Sequence, residues 1–316
     1  MTFTPLYGHQ ALLERLTALL QRDRLAHALL FTGPAGIGKA LAAHVFAAQI
    51  FCAAKSTPPC GQCPACRQVA AGTHSDLVVV APAPGKKEIG IDAIRQLKHA
   101  VQLRAVSAPL KVAIIDDADR LSVAAQNALL KTLEEPPPRS VIILVTASLG
   151  ALLPTVRSRC QRILFQPLDQ DAVAAALQHR AGLDPAQART LAGRAEGSPG
   201  RALRLRELLD SDERDVWEHI LAELDPSRYV SVVSFAKALG RGEHMLENRL
   251  EWLLSWYRDA AVRAIDAPAV ARGASLDAAG AARAGEIVLE ALQVLRRRNP
   301  NRPLLAEALA LRLARS

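Results

Sequence analysis

Gly33-Pro34-Ala35-Gly36-Ile37-Gly38-Lys39-Ala40 lies between an apolar run, Leu29-Leu30-Phe31-Thr32, and a helix-forming stretch over residues 41–50. Strand, glycine-rich loop, then helix is the arrangement of a phosphate-binding loop, G-x-x-x-x-G-K-[ST]. In such a loop Gly33, Gly36 and Gly38 free the backbone to turn its N–H groups toward a phosphate, and the helix N-terminus behind them favours negative charge. Lys39 adds a point charge for the outer phosphates. The last letter departs from the pattern, because Ala40 has no hydroxyl to offer Mg²⁺. The plainer reading is a glycine-rich turn at a helix start; the flanking strand and helix favour the phosphate loop. A loop that keeps the cradle and drops the metal ligand is expected to bind ATP and Mg²⁺ weakly or not at all.

The rest of the first half supplies the sheet for that loop. Lys111-Val112-Ala113-Ile114-Ile115 is too short for a helix and ends in Asp116-Asp117-Ala118-Asp119, so it reads as a buried parallel strand. Carboxylates at its carboxyl end stand where open α/β sheets bind ligands. In a P-loop ATPase the first, here Asp116, helps hold the Mg²⁺ shell, and the second, usually Glu, orients the attacking water. Asp117 is one methylene shorter. Further strands are expected over residues 74–80, 141–146 and 162–165. Helices are expected over 7–28 and 92–103, and from Ser122, a plausible N-cap, to Glu135, where three prolines stop the run. Alternating strands and helices predict a parallel sheet covered on both faces. After Pro167 strand signals cease: helices are expected over 169–181 and 184–196, a break at Gly197-Ser198-Pro199-Gly200, and helix from about residue 208 onward, with loops near 267–275 and at Asn299-Pro300.

Four of the five cysteines, Cys52, Cys60, Cys63 and Cys66, fall within fifteen residues. Clustered thiols in a reducing compartment more often hold a metal than pair as disulfides. Four thiolates close a tetrahedral Zn²⁺ site with no open position, which is structural, not catalytic. A three-cysteine Fe–S or redox site is the alternative, and it leaves Cys52 without a role. Pro58-Pro59 and Gly61 bend the excursion. Cys160 stands alone and reads as a small buried residue.

Composition sets the outer bounds. At 316 residues, half of them hydrophobic and only 4% aromatic, the chain suits two or three helix-rich domains. The formal charge of +8 permits acidic partners, although the positive residues are interspersed with acidic ones. The opening Met1-Thr2-Phe3-Thr4-Pro5 has no signal-peptide pattern and no apolar run reaches the ~20 residues of a membrane helix, so the expectation is a cytoplasmic protein with no membrane contact.

Together these stretches resemble the clamp-loader subunits of bacterial DNA polymerase III, an AAA+ family. The resemblance rests on the four-cysteine insertion after the phosphate loop, Asn127-Ala128-Leu129-Leu130-Lys131-Thr132-Leu133-Glu134-Glu135-Pro136-Pro137, the tripeptide Ser158-Arg159-Cys160, and the closing Asn299-Pro300-Asn301-Arg302-Pro303-Leu304-Leu305. It implies an α/β AAA+ P-loop domain over 1–166, a small helical lid over 167–207 and an all-α collar over 208–316. It implies partners too: gamma/tau and delta subunits, and through the ring a sliding clamp and primed DNA. ATP-hydrolysing gamma/tau subunits carry Thr where this chain has Ala40, Glu where it has Asp117, and an Arg where it has Gly200. Arg201, one place along, is turned about 100° round a helix. Those three departures match the delta-prime branch, the non-hydrolysing members. In that branch the resemblance gives Arg159 the role of an arginine finger reaching ATP on the neighbouring subunit, in preference to Arg157; the bland alternative is a surface ion pair. Polymerase activity would belong to the assembled holoenzyme. The competing reading is a gamma/tau-like motor. A zinc-dependent nucleic-acid module is disfavoured, because Lys55 and Arg67 are too few for a phosphate track.

Overall fold

The computed structural model of the chain describes residues 6–54, 59–83, 85–86, 88–209, 217, 219–221, 224, 227–240, 245–266, 277–298 and 300–315. Met1–Pro5, Lys55, Pro58, the loop over 267–275 and Asn299 lie outside the described residues.

Strands β1 (Ala28–Thr32), β3 (Lys111–Ile115) and β4 (Ser140–Thr146) are buried along their whole length, as apolar runs covered on both faces must be. With β2 (Leu77–Val80) and β5 (Gln161–Leu164) they form a five-stranded sheet in the order β2-β3-β4-β1-β5, every pair parallel. Side chains alternate cleanly between two cores. Leu29, Phe31, Val112, Ile114, Val141 and Ile143 face one side. There they pack with helices α1 (Gln10–Gln21) and α2 (Lys39–Phe51), represented by Leu16 and Phe46. Leu30, Ala113, Ile115, Ile142 and Leu144 face the other, against α4 (Ile91–Gln102) and α5 (Val123–Glu134). Each large side chain buried this way contributes about 2–3 kcal/mol. Cys63 caps the short α3 (Pro64–Ala70), which carries Cys66 and whose Val69 joins the first core. The α/β class expected from the sequence is the one observed.

Strand β2 begins three residues later than the 74–80 expectation. Asp76 is fully buried and its carboxylate accepts from Val106 N, Ser107 N and Ala108 N at 2.8–3.0 Å, with Lys111 Nζ at 3.3 Å. Those donors hold residues 74–76 as a turn. Ser122, the N-cap expected from sequence, accepts from Ala125 N; Asp169 and Asp184, expected as first helical residues, are N-caps instead, accepting from Ala172 N and from Ala186 N and Gln187 N respectively. The two aspartates open α7 (Gln170–Ala181) and α8 (Pro185–Arg194). The short α6 (Pro154–Arg157), which the sequence did not announce, carries the turn bearing Arg159.

The chain divides into two compact units, residues 1–202 and 203–316, with the division inside α9 (Pro199–Leu209). In the second unit, helices Tyr229–Gly240, Met245–Asp266, Ala278–Arg298 and Arg302–Leu313 surround a core of their own. Trp217 sits edge-on to Phe235 there, with ring centroids 5.8 Å apart, and Trp252 and Tyr257 are buried in the same cluster. Among the described residues no helix is long and apolar enough to cross a membrane.

Candidate functional site

The phosphate loop follows β1 directly, with Gly33, Gly36 and Gly38 all at positive φ. Gly38 is the left-handed N-cap of α2. At Gly36 the requirement is double: φ is +76°, and an added Cβ would come within 2.7 Å of Ser198 Oγ and 3.1 Å of Gly200 Cα. The segment 197–201 therefore lies on the loop. Ser198 Oγ donates to Ala35 O at 2.8 Å and Gly200 N donates to Gly36 O at 2.9 Å. A Cβ on Gly200 would stand 2.8 Å from Gly36 Cα. The neighbouring Arg201 is paired with Glu196.

Lys39 is buried, and its ammonium donates to Gly33 O at 2.8 Å and Pro34 O at 2.6 Å, carbonyls of the loop itself. Burial lowers its pKa, against the opposing pull of Asp119, Asp116 and Asp117. His9, also buried, faces Ile37 O at 3.1 Å and stands edge-on to Phe165. Its pKa is lowered, first by burial and also by Lys39.

At the end of β3, Asp116 Oδ1 accepts from Asp117 N at 3.0 Å. Asp117 takes the left-handed conformation at φ 48°. The protein packed around it, then the Asp116 and Asp119 carboxylates, raise its pKa. Asp119, which the sequence reading passed over, accepts from Thr146 Oγ1 at 2.8 Å and Ala147 N at 3.1 Å, joining the carboxyl ends of β3 and β4. The structure thus places Gly33, Gly36, Gly38, Lys39 and Asp116 just beyond the carboxyl ends of β1 and β3.

Arg159 belongs to a different part of the surface. Its Nη2 is paired with Glu134 Oε1 at 2.5 Å, and its Nη1 donates to Thr155 O at 3.0 Å. Helix α5 also holds the approach to α6 through buried Gln126, which donates to Leu121 O and Ala151 O and accepts from Leu153 N. Neither Glu134 nor Gln126 was singled out from sequence. No periodicity signals a contact made across 25 or more positions.

The four cysteines converge, with their Sγ atoms all within 4.8 Å of one another. Backbone amides point at three sulfurs: Cys60 N at Cys52, Cys63 N at Cys60 and Cys66 N at Cys63, each at 3.4 Å. N–H donors from Ala53 and Cys66 bring the Cys63 thiol down to about 6, whereas burial pushes Cys66 up to about 12. Four sulfurs so placed could hold a metal ion. Cys160 is half-buried, and burial raises its pKa to about 11.

The chain matches the family described as DNA polymerase III, delta subunit, over residues 8–169. It is 40% identical to the DNA polymerase III subunit delta' of Pseudomonas aeruginosa over 189 residues, 58% of this chain and 57% of that protein. To the delta' subunit of Escherichia coli it is 32% identical over 251 residues, 79% of this chain and 74% of the other. It is also 37% identical to the DNA polymerase III subunit tau of Bacillus subtilis over 172 residues, 54% of this chain and 30% of tau. The matched stretch therefore spans about a third of the tau protein and just over half of the Pseudomonas one.

Proposed function

The chain belongs to the delta-prime family of DNA polymerase III subunits, and we propose that it works in a clamp-loader ring as a largely non-hydrolysing scaffold that lends an arginine finger to a neighbouring ATPase subunit. The non-hydrolysing role is argued from the site, and one contact carries it: Gly200 seated on Gly36. The family's motor members carry an Arg at that position. Here any side chain would collide with loop backbone. Ala40 supplies no metal ligand, and Asp117 is short for placing a water. These features support a degenerate site in Gly33, Gly36, Gly38, Lys39 and Asp116 rather than a working one.

In this reading Arg159 completes the neighbour's site, where a guanidinium stabilises charge developing on the terminal phosphate. The proposed partners are gamma/tau and delta subunits, with sliding clamp and primed DNA reached through the ring. Polymerase activity belongs to the holoenzyme and the setting is cytoplasmic. Residues 1–166 serve as the AAA+ domain, 167–207 as a lid and 208–316 as the assembly collar. The metal proposed for Cys52, Cys60, Cys63 and Cys66 is Zn²⁺, which fits four sulfurs: at a Zn–S length of about 2.3 Å, tetrahedral thiolates lie about 3.8 Å apart. Four protein ligands leave no place for substrate, so the ion's part is structural.

The test is clamp- and primer-stimulated ATP hydrolysis by a reconstituted ring. The isolated chain is expected to hydrolyse almost no ATP, yet Arg159→Ala slows the ring, since a finger contributes on the order of 10³-fold at the site it serves. The measured loss is smaller, because other subunits supply fingers to the remaining sites. If the isolated chain shows DNA-stimulated hydrolysis and Arg159→Ala leaves the ring intact, the motor reading replaces this one.

A further inference from the structure

Arg159 is held at two corners. A guanidinium has five N–H donors in a rigid fork. Here Nη2 meets the Glu134 carboxylate at 2.5 Å, while Nη1 meets Thr155 O at 3.0 Å and Ser158 Oγ at 3.4 Å. Among the described residues no acceptor takes Nε–H. One edge of the fork is fixed within the chain and the Nε side is left over.

Glu134 is built to be the fixed point. It is the last residue of α5. Leu133 just before it is buried in the core, with its carbonyl bonded to His27, and Pro136-Pro137-Pro138 follow two residues later. A carboxylate is also the wrong charge for that place, because a helix C-terminus favours cations. Glu134 and Glu135 together break a local rule, and such breaks collect at functional positions. The surface pair itself adds little to folding, typically about 0–1 kcal/mol.

We propose that Glu134 is the positioning residue of the Arg159 finger. It splints the guanidinium against the end of α5, so that the side chain reaches the neighbour's phosphate already ordered, through its Nε side. This rests on the finger reading given above. A long flexible side chain loses rotamer freedom when it is immobilised, and a group misplaced by an ångström costs up to ~10²-fold in rate. Preordering by Glu134 therefore acts on turnover, not on ATP affinity.

The test uses the reconstituted ring carrying Glu134→Ala, Glu134→Gln, Arg159→Ala or the Glu134→Ala/Arg159→Ala pair, assayed for clamp- and primer-stimulated hydrolysis across ATP concentrations. Glu134→Ala is expected to lower kcat by about tenfold at the served site with KM for ATP unchanged. On a logarithmic scale that is about a third of the ~10³-fold loss expected of Arg159→Ala at the same site. Glu134→Gln, which keeps Oε1 as an acceptor, recovers most of the rate. The double variant is no slower than Arg159→Ala, and thermal unfolding of the isolated Glu134→Ala chain stays near wild type. Wild-type or faster turnover by Glu134→Ala, with Arg159→Ala slow, overturns the splint alone. So does a Gln variant as slow as Ala, or a further loss in the double variant. Wild-type turnover by Arg159→Ala overturns the finger, and the splint with it.

Discussion

Gly36 and Gly200 meet backbone to backbone, joined by a 2.9 Å hydrogen bond from Gly200 N to Gly36 O, with no room for a Cβ on either. The clash at Gly200 is with Cα and carbonyl atoms, which cannot swing aside as a side-chain tip does. Gly200→Ala is therefore expected to lift segment 197–201 off the loop and to cost about 1–3 kcal/mol, the usual range for overpacking. Urea unfolding and faster hydrogen exchange at the Gly200 amide would register it. An unchanged midpoint with full protection would contradict the contact.

Lys39→Ala should act on stability and not on the ring. It strips donors from two loop carbonyls, at about 1–3 kcal/mol for polar groups left unsatisfied. Ring turnover is expected to stay within about twofold, because the proposed working site is the neighbour's. Abolished turnover would mean that this chain's own cradle drives hydrolysis.

Cys63→Ser should lower metal content and thermal stability together without selectively altering loader chemistry, since a four-thiolate site has no position for substrate. Elemental analysis of the wild-type chain is expected to find about one zinc per molecule. A fully reduced, fully folded and metal-free preparation would remove the basis for a metal there.

Asp76 sets an acid limit. Burial by itself would raise its pKa, but the N–H groups of Ser107, Val106 and Ala108 outweigh that and hold it at about 2, below the ordinary 3.8. A carboxyl depressed on folding contributes stability that is fully present above pH 3.8 and is lost as pH falls through 2. The shift corresponds to about 2 kcal/mol. Asp76→Asn is expected to be less stable at pH 7 and to show a flatter decline between pH 4 and 2, as followed by chemical unfolding at each pH. Parallel profiles for the two proteins would refute the assignment.

Ending the chain at residue 207 should leave a first unit that still folds, since both cores of the sheet lie within residues 1–202. The shortened chain is expected not to join the ring. Co-purification with gamma/tau and delta subunits at full yield would refute a collar role for the second unit.

What was legible in the sequence was what local chemistry decides. The apolar run at residues 111–115 is the strand, and Ser122 caps the helix it precedes. The cysteine spacing brings four sulfurs together. What stayed hidden depends on distant partners. The motif pattern places Lys39 at the head of α2 but does not say that its ammonium bends back to Gly33 and Pro34. Gly197-Ser198-Pro199-Gly200 reads as a break, and only the fold lays it on the loop 163 positions earlier. Asp119 looks like one more turn-forming acid until Thr146 and Ala147 arrive at its carboxylate. The aromatic residues of the C-terminal part illustrate the same limit. Trp252 and Trp256 share a helix, yet Trp252 is buried and Trp256 only partly so.

The order of strands in the sheet also sets a schedule for biosynthesis. β1 lies between β4 and β5, so both of its neighbours emerge from the ribosome more than a hundred residues after it does. At about 5–20 residues per second, the Leu29-Leu30-Phe31 run spends on the order of ten seconds with neither flanking strand available. Its sticky edges are bare throughout that interval. The helices on either side can form early, but the strand bearing the glycine loop is among the last parts of the sheet to be enclosed. The newborn chain is therefore most prone to aggregation, and most in need of a chaperone, between the appearance of β1 and that of β5.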